Sequence, residues 1–168
     1  MPDTGLASLL AENLHPRPGR GAWHGGPTIV GALRGVTAPQ AAWRPAPGRH
    51  SIWELALHVA YWNYVIARRL RGGGGEPFPR GPADWPAVPD RPDESAWTHD
   101  RALVRRTHQD SATAIRSISP SDYGQRPEGN RKWTFGETIL GAAQHEAYHT
   151  GQIQLMKRLW VARPRRSV

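Results

Sequence analysis

The sequence contains no cysteine. That absence excludes disulfides, thiolate metal ligands and a cysteine nucleophile together, so any thiol used here must arrive with a substrate. It fits a reducing compartment, and a cytoplasmic location is the expectation. Lysine is nearly absent too, with Lys132 and Lys157 the only two, so the formal charge of +8 is carried almost entirely by arginine. Those arginines are scattered through a chain rich in Ala, Gly and Pro. The one dense run, RPRRSV, ends in a basic tail over 164–168 that reads as solvated, and no nucleic-acid partner is expected. Long hydrophobic runs are also missing: nothing approaches the roughly 20 residues that span a bilayer, so no membrane role is expected. The N-terminal MPDTGLASLLAENLHP has no basic leader and an acid on each side of its short apolar run, unlike a signal peptide. At 168 residues the expectation is one domain, 1–168.

What is present is helical pattern broken by Gly and Pro. Leu6, Leu9 and Leu10 mark a first helix over Thr4 to Leu14. TIVGALRGV either extends it or forms a separate turn, and TAPQAAW reads as a short helix with Thr37 as N-cap. Ser51 and Glu54 form a capping box ahead of the stripe Ile52, Leu55, Val59, Trp62, Ile66 and Leu70, which the glycines at 72–75 end. Residues 72–91 are a Gly/Pro-rich connection, either a lid or a wrap over the bundle, and no Gly-Lys-Ser/Thr makes the glycines a P-loop. Asp93 to Ile118 is expected to be helical with Trp97, Leu103, Val104 and Ile115 inward. A last helix begins at Thr134, with a capping box to Glu137, and runs to about Ala162. No strand alternation and no internal repeat is found. The fold class is all-α, a four-helix bundle with a long cross-connection.

The chemistry lies in HEAYHTGQIQ, from His145 to Gln154. His145 and His149 share one helix face with Ile153, Met156 and Trp160, so both imidazoles are expected to point inward. Each carries two polar nitrogens that burial obliges to find partners, and a cation would satisfy one on each. In a chain with eight histidines, chance alone also yields such a pair. The H-E-x-x-H signature belongs to zinc proteases, yet TGQIQLMKRLWVARPRRSV, which follows His149, holds no His, Asp or Glu for a downstream ligand. The third ligand must lie upstream, and His58, at the edge of the Leu55–Trp62 stripe, is the best candidate. His15, His50, His99 and His108 are expected in loops or on exposed surface, and His24 in a turn that lies at the surface or else closes over the pocket. Glu146 is expected in a salt bridge to an arginine of a neighbouring helix rather than as a base. Tyr148 and Gln152 are expected to support the histidines or the core, and no catalytic residue is assigned.

HSIWELALHVAYWNYVIARRL followed by TFGETILGAAQHEAYHTGQIQLMKRL resembles the DinB-like (DinB/YfiT) superfamily of DNA-damage-inducible bundle proteins, from the first helix to the last. The resemblance implies a four-helix bundle, frequent homodimers, and a divalent metal, nickel or zinc with iron as a further choice, held by His58, His145 and His149. Characterised relatives transfer or isomerise with a low-molecular-weight thiol such as mycothiol or bacillithiol, and others are described as metal-dependent hydrolases. The expected function is therefore thiol S-transfer to a small electrophile. Hydrolysis, or a non-catalytic stress-associated role, is the alternative.

Overall fold

The computed structural model describes residues 9, 12–14, 16, 25–129 and 132–164. Among the described residues the chain is all helical, with no strand. Two short helices, α1 (Ile29–Ala32) and α2 (Ala38–Ala42), precede three long ones: α3 (Ile52–Leu70), α4 (Glu94–Arg116) and α5 (Phe135–Ala162). A 3₁₀ turn at Pro120–Asp122 separates the last two. The helix expected over Thr4 to Leu14 lies mostly outside the described residues, as do His15 and His24; of that stretch, residues 9 and 12–14 are helical.

The local signals in the sequence act as written. Ser51 Oγ accepts from Glu54 N at 3.2 Å while Ser51 N donates to Glu54 Oε2 at 2.8 Å, which starts α3 at a defined residue. Thr134 and Glu137 do the same for α5, and Asp93 caps α4. α3 ends in a Schellman motif: Gly73 N donates to Arg68 O and Gly72 N to Arg69 O. Gly72 to Gly75 all hold φ between 74° and 92°, a run of left-handed backbone that only glycine adopts freely.

α3 is the central element, packed on α4 along one side and on α5 along another. One apolar cluster joins α1, α2 and the first half of α3 to Trp97, Leu103 and Val104 of α4 and Ile153 and Met156 of α5. A second joins Ile66 and Leu70 of α3 to Ile115 of α4, Ile139 of α5 and Leu14. Trp53 and Trp97 are fully buried, and each indole N–H is satisfied, by Asp100 Oδ2 at 2.8 Å and by Val36 O at 2.7 Å. No helix of the described residues is long and apolar enough to cross a membrane.

The 72–91 connection wraps the bundle as an ordered segment. Glu76 O accepts from Tyr64 Oη at 2.9 Å, Phe78 is buried against Tyr61 and Tyr64, and Arg80 lies 3.5 Å from the buried Asp100 carboxylate. It is thereby fixed over α3 at the level of His58.

Two expectations are corrected by α4 and α5. His108 is not exposed: it is only 4 % accessible, because it continues the inward row Trp97, Val104, Ser111 and Ile115 at helical spacing. Among the described residues Glu146 is not paired with an arginine. Its Oε2 accepts from Asn63 Nδ2 of α3 at 3.1 Å and lies 3.0 Å from His108 Nδ1 of α4. An ionised carboxylate only accepts, so the shared proton resides on Nδ1. This polar knot sits between the two apolar clusters and ties the three long helices at one level. His99 is exposed, as expected.

Candidate metal centre

The capping box of α3 places His58 about two turns into the helix, facing α5. There it meets His145 and His149, which stand one turn apart. One ring nitrogen from each of the three lies within 4.8 Å of the others, and His58 Nε2 is 3.0 Å from His145 Nε2. His58 and His149 are buried, at 6 % and 7 % accessible, and His145 is partly buried. The packing of α3 on α5 thus brings together the three histidines expected from the sequence.

The second nitrogen of two of these rings is already committed. His58 Nδ1 donates to the Asp84 carbonyl at 2.7 Å, and His149 Nδ1 donates to Gln152 Oε1 at 2.7 Å. Both acceptors lack a proton, so both rings carry hydrogen on Nδ1 and present a bare Nε2. His145 Nε2 then donates to His58 Nε2, the one arrangement that lets these two nitrogens sit 3.0 Å apart without repulsion. A cation would replace that proton, which then shifts to Nδ1 or leaves. Imidazole nitrogens ligate at about 2.0–2.1 Å, which separates any two ligands by roughly 3–3.5 Å. The trio therefore fits a divalent ion after a small contraction, and its oriented tautomers match the outer support that metal-binding histidines receive.

Residues that sequence reasoning missed complete the surroundings. Trp85 of the wrapping segment stacks on His58 at 3.9 Å and 12°, and His50 stacks on Trp85 at 3.7 Å and 8°. The indole is held between the two imidazoles and closes the site over His58. His50, expected only as a residue ahead of the α3 cap, is part of that closure. Its one legible signal is the indole of Trp85 inside a Pro-rich stretch. Trp62 stands edge-on to both His58 and His145. Gln152 supports His149, whereas Tyr148 is 65 % exposed with its ring beside His149. Glu146 faces away, into the knot with Asn63 and His108.

Burial is the leading influence on all three imidazoles and favours their neutral forms. It lowers His145 to about 4, helped by the neighbouring His149 and His58. Burial lowers His58 against the Asp84 carbonyl and charge, and lowers His149 against the Gln152 hydrogen bond. Neutral imidazole is the form that ligates.

The sign for stability follows. The unfolded chain takes up these protons near pH 6.5, above the folded value of about 4 for His145, so metal-free protein is at full strength above 6.5 and weakens as pH falls toward 4. After allowance for the solvent screening a partly buried imidazole retains, His145 accounts for about 1–2 kcal/mol of that loss. Thermal melts of chelated protein between pH 7.5 and 4.5 should show a shallower decline in His145→Gln; an identical slope would remove His145 as a contributor.

Two cavities, of about 540 and 610 Å³, flank the glycine-rich turn after α3, and none of the three histidines lines either.

The fold and site define an all-helical protein with a buried three-imidazole cluster that could hold a divalent metal. The profile of the DinB superfamily matches residues 27–153, from ahead of α1 to the turn of α5 beyond His149. The chain belongs to the DinB superfamily. No curated protein and no solved structure shows significant similarity to it.

Proposed function

We propose that this chain binds a divalent metal through Nε2 of His58, His145 and His149 and uses it to activate a low-molecular-weight thiol for transfer to a small electrophile. The observation that carries the reading is the convergence of three neutral imidazoles, two of them oriented by a hydrogen bond at Nδ1, on one point. Nickel or zinc suits an all-imidazole donor set, and iron is a third choice. When bound, such an ion supplies positive charge and open positions that lower the pKa of a thiol or water toward neutrality. The chain contributes the rest. Asp84 and Gln152 orient two ligands, while Trp85 and Trp62 shield the site from bulk water. The absence of cysteine means that the attacking sulfur is the co-substrate's. In the transfer the thiol proton passes to solvent, a carbon–sulfur bond forms, and the leaving group departs with its bonding electrons.

Thiol is preferred over water because of Glu146. Hydrolysis by an H-E-x-x-H site needs that glutamate as a base, and here the side chain is 5 % accessible and bonded to Asn63 and His108. A thiol, with a free pKa of about 8.5 against about 15.7 for water, reaches its nucleophilic form on a metal with far less help from a base. The test is conjugation of small thiols to 1-chloro-2,4-dinitrobenzene by metal-loaded and chelated protein. Metal-dependent conjugation supports the reading. Metal-dependent ester hydrolysis without conjugation would transfer it to water, and no metal uptake would end it.

A second copy of the chain is the partner we propose for α5. Tyr148, Leu155 and Leu159 are exposed at 65, 57 and 39 %, and their 7- and 4-residue steps put them on one outward stripe. A two-fold axis across that stripe would pair it with itself. Light scattering should show a dimer in wild type and a monomer in Leu155→Glu; a wild-type monomer at the same concentration would refute it.

A further inference from the structure

A cavity of about 440 Å³ opens beside the histidines, between the C-terminal half of α3 and the first turns of α5. Its size is that of a small-molecule site. Trp62, Ile66, Trp133 and Leu140 give it an apolar lining, His145 closes one end, and Arg69 stands at the rim. Trp133 and Leu140 are 45 and 46 % exposed, an open apolar surface in a concave setting rather than a packed core. Trp62 belongs to both places, edge-on to His145 at 6.0 Å while forming a wall of the cavity.

The charges at the rim are unequal in availability. Glu137 is spent on the α5 capping box, its Oε2 accepting from Thr134 N and Thr134 Oγ1 at 2.8 and 2.9 Å. The Arg69 guanidinium has no hydrogen bond or ion pair among the described residues and lies over Trp62, 5.8 Å from the ring centre. A planar ring sliding along Trp62 would meet that guanidinium at its outer edge, and an acidic group there would find a fork of donors.

We propose that this cavity is the electrophile site, and that it selects an aromatic compound bearing a carboxylate or similar anionic group. The ring lies against Trp62 and Leu140, the anion pairs with Arg69, and the opposite edge of the ring is directed to His145. The proposal rests on the transferase reading for what happens at that edge, but the binding itself needs no metal. It also assigns the apolar surface around Trp133 and Leu140 to a ligand, separate from the Tyr148–Leu159 stripe further along α5.

The test is calorimetric titration of chelated protein with 2-naphthoate and, in parallel, neutral 2-naphthol. Leu140 is exposed, so Leu140→Glu keeps the fold, which a melt verifies, and it should weaken both ligands about 10-fold or more. Arg69→Gln should weaken naphthoate about 3–10-fold and naphthol less than 2-fold. Binding indifferent to Leu140→Glu overturns the cavity as the site. Binding of naphthoate only after metal loading, or an equal effect of Arg69→Gln on the two ligands, overturns the role of Arg69. Metal uptake is measured on parallel samples dialysed against nickel or zinc: naphthoate binding by the chelated protein, with no uptake by those samples, would refute the metal reading and leave the cavity standing.

Discussion

His58→Ala will lose divalent metal as completely as His149→Ala, although the two positions lie on different helices and far apart in the chain. His58 Nε2 is 3.0 Å from His145 Nε2, and its ring is locked from behind by the Asp84 carbonyl and across its face by Trp85. Two histidines alone retain at most a weak, exchangeable ion, because each lost imidazole removes a full coordinate bond. Loss of an outer hydrogen-bond partner typically reduces metal affinity about 10–100-fold, so Gln152→Ala should show a drop of that size and His58→Ala a larger one. Elemental analysis of protein prepared without a histidine tag reads the stoichiometry. Melting with and without added metal reads the affinity independently, since an ion at 100 times its dissociation constant stabilises the fold by about 2.7 kcal/mol. That gain should be present in wild type and absent in His58→Ala. A His58→Ala protein that keeps wild-type metal and the same thermal gain would take His58 out of the site.

Glu146→Ala should be the most destabilising single change at this level of the bundle, by about 3–5 kcal/mol, while Glu146→Gln costs far less. The carboxylate is 5 % accessible and is shared by Asn63 of α3 and His108 of α4, so its removal takes the acceptor from two donors buried on different helices. Breaking a buried pair by deleting one member costs that much because the other is left in a low-dielectric interior. Glutamine keeps an acceptor for the Asn63 amide and preserves the packing volume. For a chain of this length the alanine loss corresponds to a fall of roughly 10 °C in melting temperature. The nearness of Glu146 to His145 gives a further readout: Glu146→Ala should loosen α5 against α3 and weaken metal binding, and Glu146→Gln should restore it. Equal melting of the two variants would show that the knot carries no such weight.

These two residues also mark how far the sequence could be read. Helix starts were legible because they are local: Ser51 with Glu54, and Thr134 with Glu137, act within one turn, and the Gly72–Gly75 run can only end a helix. His145 and His149 were legible as a pair because four residues make one helical turn. The lack of a downstream ligand and the α3 stripe pointed to His58 as the third, the DinB resemblance implies the same position, and packing of α3 on α5 brings His58 to the pair.

His108 was read as exposed because the α4 stripe is mostly polar. A polar side chain is buried only if a partner reaches it, and that partner, Glu146, lies 38 residues away on another helix. The same reason hid Asp84, Trp85 and His50. A backbone carbonyl has no sequence signature, and a stack of His50, Trp85 and His58 exists only once the Pro-rich segment is laid across α3. The sequence by itself determined the helices, their caps, the inward face that carries two imidazoles and the absence of any internal thiol, because each depends on residues within a turn or two, or on composition. The tertiary structure alone decided which nitrogen of each imidazole faces the centre, that Glu146 is unavailable as a base, and that an apolar cavity opens beside His145. Each of these depends on groups that meet only when separate helices pack.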